Sequence, residues 1–94
     1  MYTFEFAEDQ DRAIARADDG EEVGEATIIR EDGYWDITHT GVDPAHRGQQ
    51  LAARLIETVV MAAKEAGVKL KPTCPYAARA LEGNPHYADL IYKG

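Results

Sequence analysis

The feature that most narrows what this chain can fold into is a change of period halfway along it. Up to about residue 42 apolar and polar residues alternate, the mark of strands with one buried face: YTFEF (2–6), RAIARA (12–17), EVGEATIIR (22–30) and YWDITHT (34–40). The tripeptides DDG and EDG separate the last three of these segments, and Asp-Gly between alternating runs is a strong hairpin signal. The first half therefore predicts an antiparallel meander, with Trp35, Ile37 and His39 on one face of its last strand. From about Gln49 the apolar spacing lengthens to nearly four. Leu51, Leu55, Val59 and Ala63 form one stripe with Ala52, Ile56 and Val60 beside it, which predicts an amphipathic helix stopped by Gly67.

After Gly67 the period returns to two. VKLKPTC (68–74) puts Val68, Leu70, Pro72 and Cys74 on one side, and Pro72 lacks a ladder donor, so the strand should lie at an edge or splay from its neighbour there. Pro75 then suits the first position of a helix that Gly83 ends, and Asn84-Pro85 repeat that start for a last short helix, HYADLIY (86–92), whose Tyr87, Leu90 and Ile91 should cover the core. Strand, helix, strand across residues 34–74 calls for a right-handed crossover if the strands are parallel neighbours. The class expected is α+β: a mostly antiparallel sheet with one βαβ unit and a C-terminal helical segment, 94 residues in a single domain.

Composition excludes several functions. No apolar run is long enough for a membrane helix, the acidic start MYTFEFAEDQDR has no signal core, and one cysteine cannot close an internal disulfide. A cytoplasmic protein is expected, a monomer or weak dimer. The net charge of −7 is unevenly spread, with 3 Lys or Arg against 13 Asp or Glu in the first 43 residues and 7 against 4 in the rest. Such a chain is a poor nucleic-acid binder, though its basic half could hold a small polyanion. His39, His46, Cys74 and His86 lack zinc-site spacing, so no metal is expected.

Where strand becomes helix the chain reads VDPAHRGQQLAARLIE (42–57). A helix start offers free backbone N–H groups and about half a positive charge, Arg47 adds a two-pronged phosphate donor, His46 a second donor, and Gly48 lets backbone approach a ligand. Neither GxGxxG nor the Walker pattern is present. The segment HTGVDPAHRGQQLAARLI resembles the acyl-CoA-binding motif of the GNAT superfamily of N-acetyltransferases, in which Gln/Arg-x-x-Gly-x-Gly/Ala opens a helix. Arg47 takes its first place, Gln50 that of the middle glycine and Ala52 the last. His39-Thr40 and Pro72-Thr73-Cys74-Pro75-Tyr76 are similar to a branch of very short GNAT-like proteins, and the likeness runs from about residue 10 to 92.

That resemblance implies a minimal GNAT fold, with acetyl-CoA as cosubstrate in a wedge between the strands ending near Val42 and Cys74. Its pyrophosphate would lie on the turn at 47–52, formed by Arg47, Gly48, Gln49, Gln50, Leu51 and Ala52, with Val42 and His46 as further cofactor-binding residues. Gln50 departs from the pattern: its side chain either crowds the pyrophosphate or substitutes an amide donor. Cys74 would sit beside the thioester as acetyl acceptor, as acid toward the departing CoA thiolate, or as a wall. His39 would serve as base or orient the thiol, its alternative being a core histidine bonded to backbone. Tyr76 would protonate the leaving sulfur or pack, and Arg79 would reach a phosphate or lie in solvent. The activity implied is transfer of acetyl to an unidentified amine, directly or through Cys74. The rivals are a non-catalytic CoA-binding or interaction module and a scaffold whose site Gln50 has closed.

Overall fold

A computed structural model describes residues 1–48 and 50–93. Five strands, β1 (Thr3–Ala7), β2 (Arg12–Arg16), β3 (Glu22–Glu31), β4 (Tyr34–Val42) and β5 (Lys69–Pro72), form one sheet in the order β1-β2-β3-β4-β5. The first four are antiparallel neighbours joined by tight turns, with Gly20 and Gly33 at φ 86° and 87° in the two Asp-Gly turns. Helix α1 (Leu51–Ala66) carries the chain over to β5, which lies parallel to β4. Helix α2 (Pro75–Glu82) follows, with 3-10 turns at Pro44–His46 and Pro85–Leu90. No helix among the described residues is long and apolar enough to cross a membrane.

Both helices share one core with one face of the sheet. Leu51, Leu55, Ile56, Val59, Val60 and Ala63 are the buried stripe of α1, and they meet Ala13, Ala15, Ala26 and Ile37 from the strands. The alanines let the helix lie close, and a Cβ at Gly24 would come 3.1 Å from Leu55. On the opposite face Ile14 is completely buried between the cross-strand residues Glu5 and Glu25, where Arg12 pairs with Glu25 at 3.1 Å and Arg16 pairs with Glu5.

Two expectations are corrected. HYADLIY is not a regular helix: residues Pro85–Leu90 form a 3-10 turn, and the chain then joins the outer edge of β5, with Ile91 bridging Leu70 in parallel and the Tyr92 amide donating to the Leu70 carbonyl at 2.7 Å. Backbone groups that a helix end would leave free find partners on an open strand edge instead. Tyr87, Leu90 and Ile91 do pack half-buried against the core. His39 does not share a face with Trp35 and Ile37. Ile37 and His39 pair with the consecutive residues Ile28 and Thr27, so Thr38 is an extra residue, a β-bulge, and the alternation restarts after it. Trp35 and Ile37 are buried, His39 is exposed, and Thr40 and Val42 turn back toward the core side.

Candidate functional site

β3 accompanies β4 to its end, where Gly24 pairs with Val42, but β5 leaves it much earlier. The last β4–β5 pair is Ile37 with Pro72, followed by one bond from the Cys74 amide to the Ile37 carbonyl at 2.9 Å. Pro72 has no amide to extend the ladder, and the chain turns away into α2. The splay leaves a cleft of about 480 Å³ beside the open end of β4. Its walls are Thr40, Gly41 and Val42 from β4; His46, Arg47, Gly48 and Gln50 from the turn; Leu51 and Ala52 from α1; and Tyr76 from α2.

The turn is built to point a helix start at this space. Asp43 caps the 3-10 turn by accepting from the Ala45 amide at 2.9 Å, and Pro44 starts it. Gly48, at φ 88°, and Gln50, at φ 58°, both take left-handed backbone. A Cβ on Gly48 would meet nothing within 4 Å, so glycine answers to the backbone angle there rather than to lack of room. Gln50 takes the same region at a cost of about 1–2 kcal/mol, which is the physical reason glycine suits the place that Gln50 holds. Gln50 gives α1 no side-chain cap and the first turn of the helix holds no acidic residue, so among the described residues nothing negative competes with an anion for the amides of that turn. Arg47 is exposed at the cleft wall, whereas Arg54 is turned away over the Phe4 ring at 4.2 Å.

α2 begins at Cys74, 7% exposed and outside the cleft lining. Its Sγ lies within hydrogen-bonding reach of Thr40 Oγ1 at 3.6 Å, and Thr40, unlike Cys74, lines the cleft. Burial alone pushes the thiol's ionisation up, but hydrogen bonds from the Ala77 backbone, the Thr40 hydroxyl and the Tyr76 and Thr40 backbone outweigh it and hold the thiol below the ordinary cysteine value.

Among the residues expected at the site, Val42, His46, Arg47, Gly48, Gln50, Leu51, Ala52 and Tyr76 are thus brought together, while Gln49 lies outside the described residues. Cys74 stands one side chain behind the wall. Arg79 is exposed on α2 and away from the cleft lining. His39 faces the opposite side of the sheet from the thiol, and its ring lies over Gly41, where a Cβ would come 2.9 Å from Nε2. Sequence reasoning missed Thr40 and Gly41 as lining residues, because their facing depends on the bulge at Thr38.

Residues 4–90 match the family model described as GCN5-related N-acetyl-transferase, and the chain belongs to that family. No match is found among curated proteins. A GCN5-like protein from Staphylococcus aureus, solved by NMR, is similar in fold with a TM-score of 0.74 and 25% identity, over 98% of this chain and 89% of that one. An acyl-CoA N-acyltransferase-type protein from Klebsiella pneumoniae matches at TM-score 0.63 and 28% identity, over 77% of this chain and 53% of its own. A GNAT family protein from Escherichia coli in complex with CoA matches at TM-score 0.64 and 19% identity, over 82% and 44%. This chain therefore spans about half the length of the Klebsiella protein and less than half of the E. coli one.

Proposed function

We propose that the protein is an acetyl-CoA-dependent N-acetyltransferase acting on an amine, with the cosubstrate's pyrophosphate at the 47–52 turn beside His46 and its pantetheine arm along the open edge of β4. The observation that carries this reading is the start of α1, where Gln50 supplies no side-chain cap, beside a cleft whose other walls include Arg47, His46 and the end of β4 that β5 has left. CoA in the E. coli relative supports it. In the reaction the neutral amine attacks the thioester carbonyl, a nitrogen–carbon bond forms as the carbon–sulfur bond breaks, the attacking nitrogen releases one proton to solvent, and the departing thiolate takes one up. Tyr76 lines the cleft and has a hydroxyl to give that proton. Direct attack is the route this geometry favours, because Cys74 lies outside the cleft lining and His39 lies on the other face. Cys74 then sets the shape and polarity of the wall.

The test is calorimetric titration of acetyl-CoA, with acetate and ATP as controls, followed by an amine screen read by release of free CoA thiol. Saturable one-to-one binding selective for acetyl-CoA, then amine-dependent thiol release, is the expected result. Binding with no thiol release for any amine would favour a non-catalytic CoA-binding module. Full turnover by a Cys74→Ala variant is expected; a stable mass increase of one acetyl group on Cys74 would instead establish the covalent route.

A further inference from the structure

One wall of the cleft is held from outside the turn that carries it. Tyr2, just before β1, places its hydroxyl 2.9 Å from Nδ1 of His46, across 44 positions of sequence, with the two rings edge-on and 5.7 Å between centroids. His46 is half-buried and stands between the cleft and a second hollow of about 340 Å³ that Tyr2 lines with Met1, Ala17, Asp18 and Asp19. Tyr2 does not line the cleft. Because Tyr2 holds Nδ1 and does not line the cleft, the edge remote from Nδ1, bearing Nε2, is the one available to serve it.

A neutral imidazole carries one ring proton, and its second nitrogen is an acceptor. Which nitrogen holds the proton is set by the partner of the other. A phenol donating to Nδ1 leaves the proton on Nε2. An unassisted ring could present Nε2 to the cleft as a lone pair, which repels an anion. The charged groups around the ring are Asp18 and Asp19 in the hollow, the Met1 ammonium bonded to Asp18 at 2.5 Å, and Arg47 on the cleft side; the Asp43 carboxylate is taken by the Ala45 amide. We propose that Tyr2 is a positioning residue for His46: its hydroxyl donates to Nδ1, fixes the Nε2–H form of the ring, and so makes this wall a hydrogen-bond donor to the diphosphate of acetyl-CoA. The proposal rests on the reading of the cleft as an acetyl-CoA site.

Tyr2→Phe removes only the hydroxyl and keeps the edge-on ring. In long-range proton–nitrogen NMR spectra of the free protein at pH 8, the wild-type His46 ring should show a protonated Nε2 and a bare Nδ1, and Tyr2→Phe should lose that preference. Calorimetry should find acetyl-CoA bound about fivefold more weakly by Tyr2→Phe, the worth of one hydrogen bond. His46→Ala should weaken binding at least as much, and the double variant no further. An Nδ1–H ring in the wild type, or a Phe variant with unchanged tautomer and affinity, would reduce Tyr2 to packing and overturn the proposal. Failure of the wild-type chain to bind acetyl-CoA would instead overturn the reading of the cleft, and would be evident before any variant is compared.

Discussion

Two helices begin close to the end of β4, and the chain treats their starts in opposite ways. α2 starts at Cys74, whose sulfur lies against the backbone of Tyr76 and Ala77. α1 starts at Gln50, which makes no side-chain cap and leaves its amides facing the cleft. Every helix start favours negative charge. At α2 the protein supplies the nascent anion itself, a thiol eased toward thiolate. At α1, on the function proposed above, the place is left for an anion brought from outside. Wall and binding edge are thus two uses of one electrostatic device.

The comparison breaks most completely if the support under α1 is removed. Leu55 is fully buried against the sheet, so Leu55→Ala should cost about 3 kcal/mol in denaturant unfolding, and saturating acetyl-CoA should recover part of that loss. Next in size, Arg47→Ala should weaken acetyl-CoA binding about tenfold in calorimetry, the loss of one charge-assisted contact, while leaving the rate of Cys74 alkylation unchanged. Equal effects on both would mean that the two helix starts are not independent.

A third measurement sharpens the α2 side. Iodoacetamide alkylation of Cys74 should set in at lower pH than for a cysteine in the unfolded chain, and Thr40→Val should move its onset back up. The sign for stability follows from the lowered folded-state ionisation. The contribution is fully present above the pH at which the unfolded thiol ionises and is lost as pH falls through the folded value. Cys74→Ala should abolish that slope. The smallest effect belongs to Gln50→Gly, which relieves left-handed strain at some cost in chain entropy and should add about 0.5–1 kcal/mol of stability. Tighter acetyl-CoA binding by the same variant would show that the glutamine crowds the pyrophosphate, and weaker binding that its amide is a donor.

Much of this arrangement was legible in the sequence because it follows from period and punctuation. The meander, the buried stripe of α1 and the splay at Pro72 come from alternation, helical spacing, Asp-Gly and proline, while the turn was picked out by a helix start beside Arg47 and by the family resemblance. What stayed hidden depends on pairings between distant segments. The facing of His39 is fixed by the register of β4 against β3, and no local pattern announces a bulge at Thr38. The partnership of Tyr2 with His46 joins the two ends of a four-stranded path. The last segment has helix-start signals at Asn84 and Pro85, yet the open edge of β5 competes for its backbone and wins at Ile91.

The bulge has one more consequence. A bulge bends its strand, and this one follows directly on Ile37, the last residue of β4 that pairs with β5. Deleting Thr38 would restore even pairing with β3 while every remaining side chain of β4 kept its present face. Core and fold should survive, and the strand should straighten toward β5 across the mouth of the cleft. On the acetyl-CoA reading, deletion of that one residue should narrow the cleft without removing any residue that lines it.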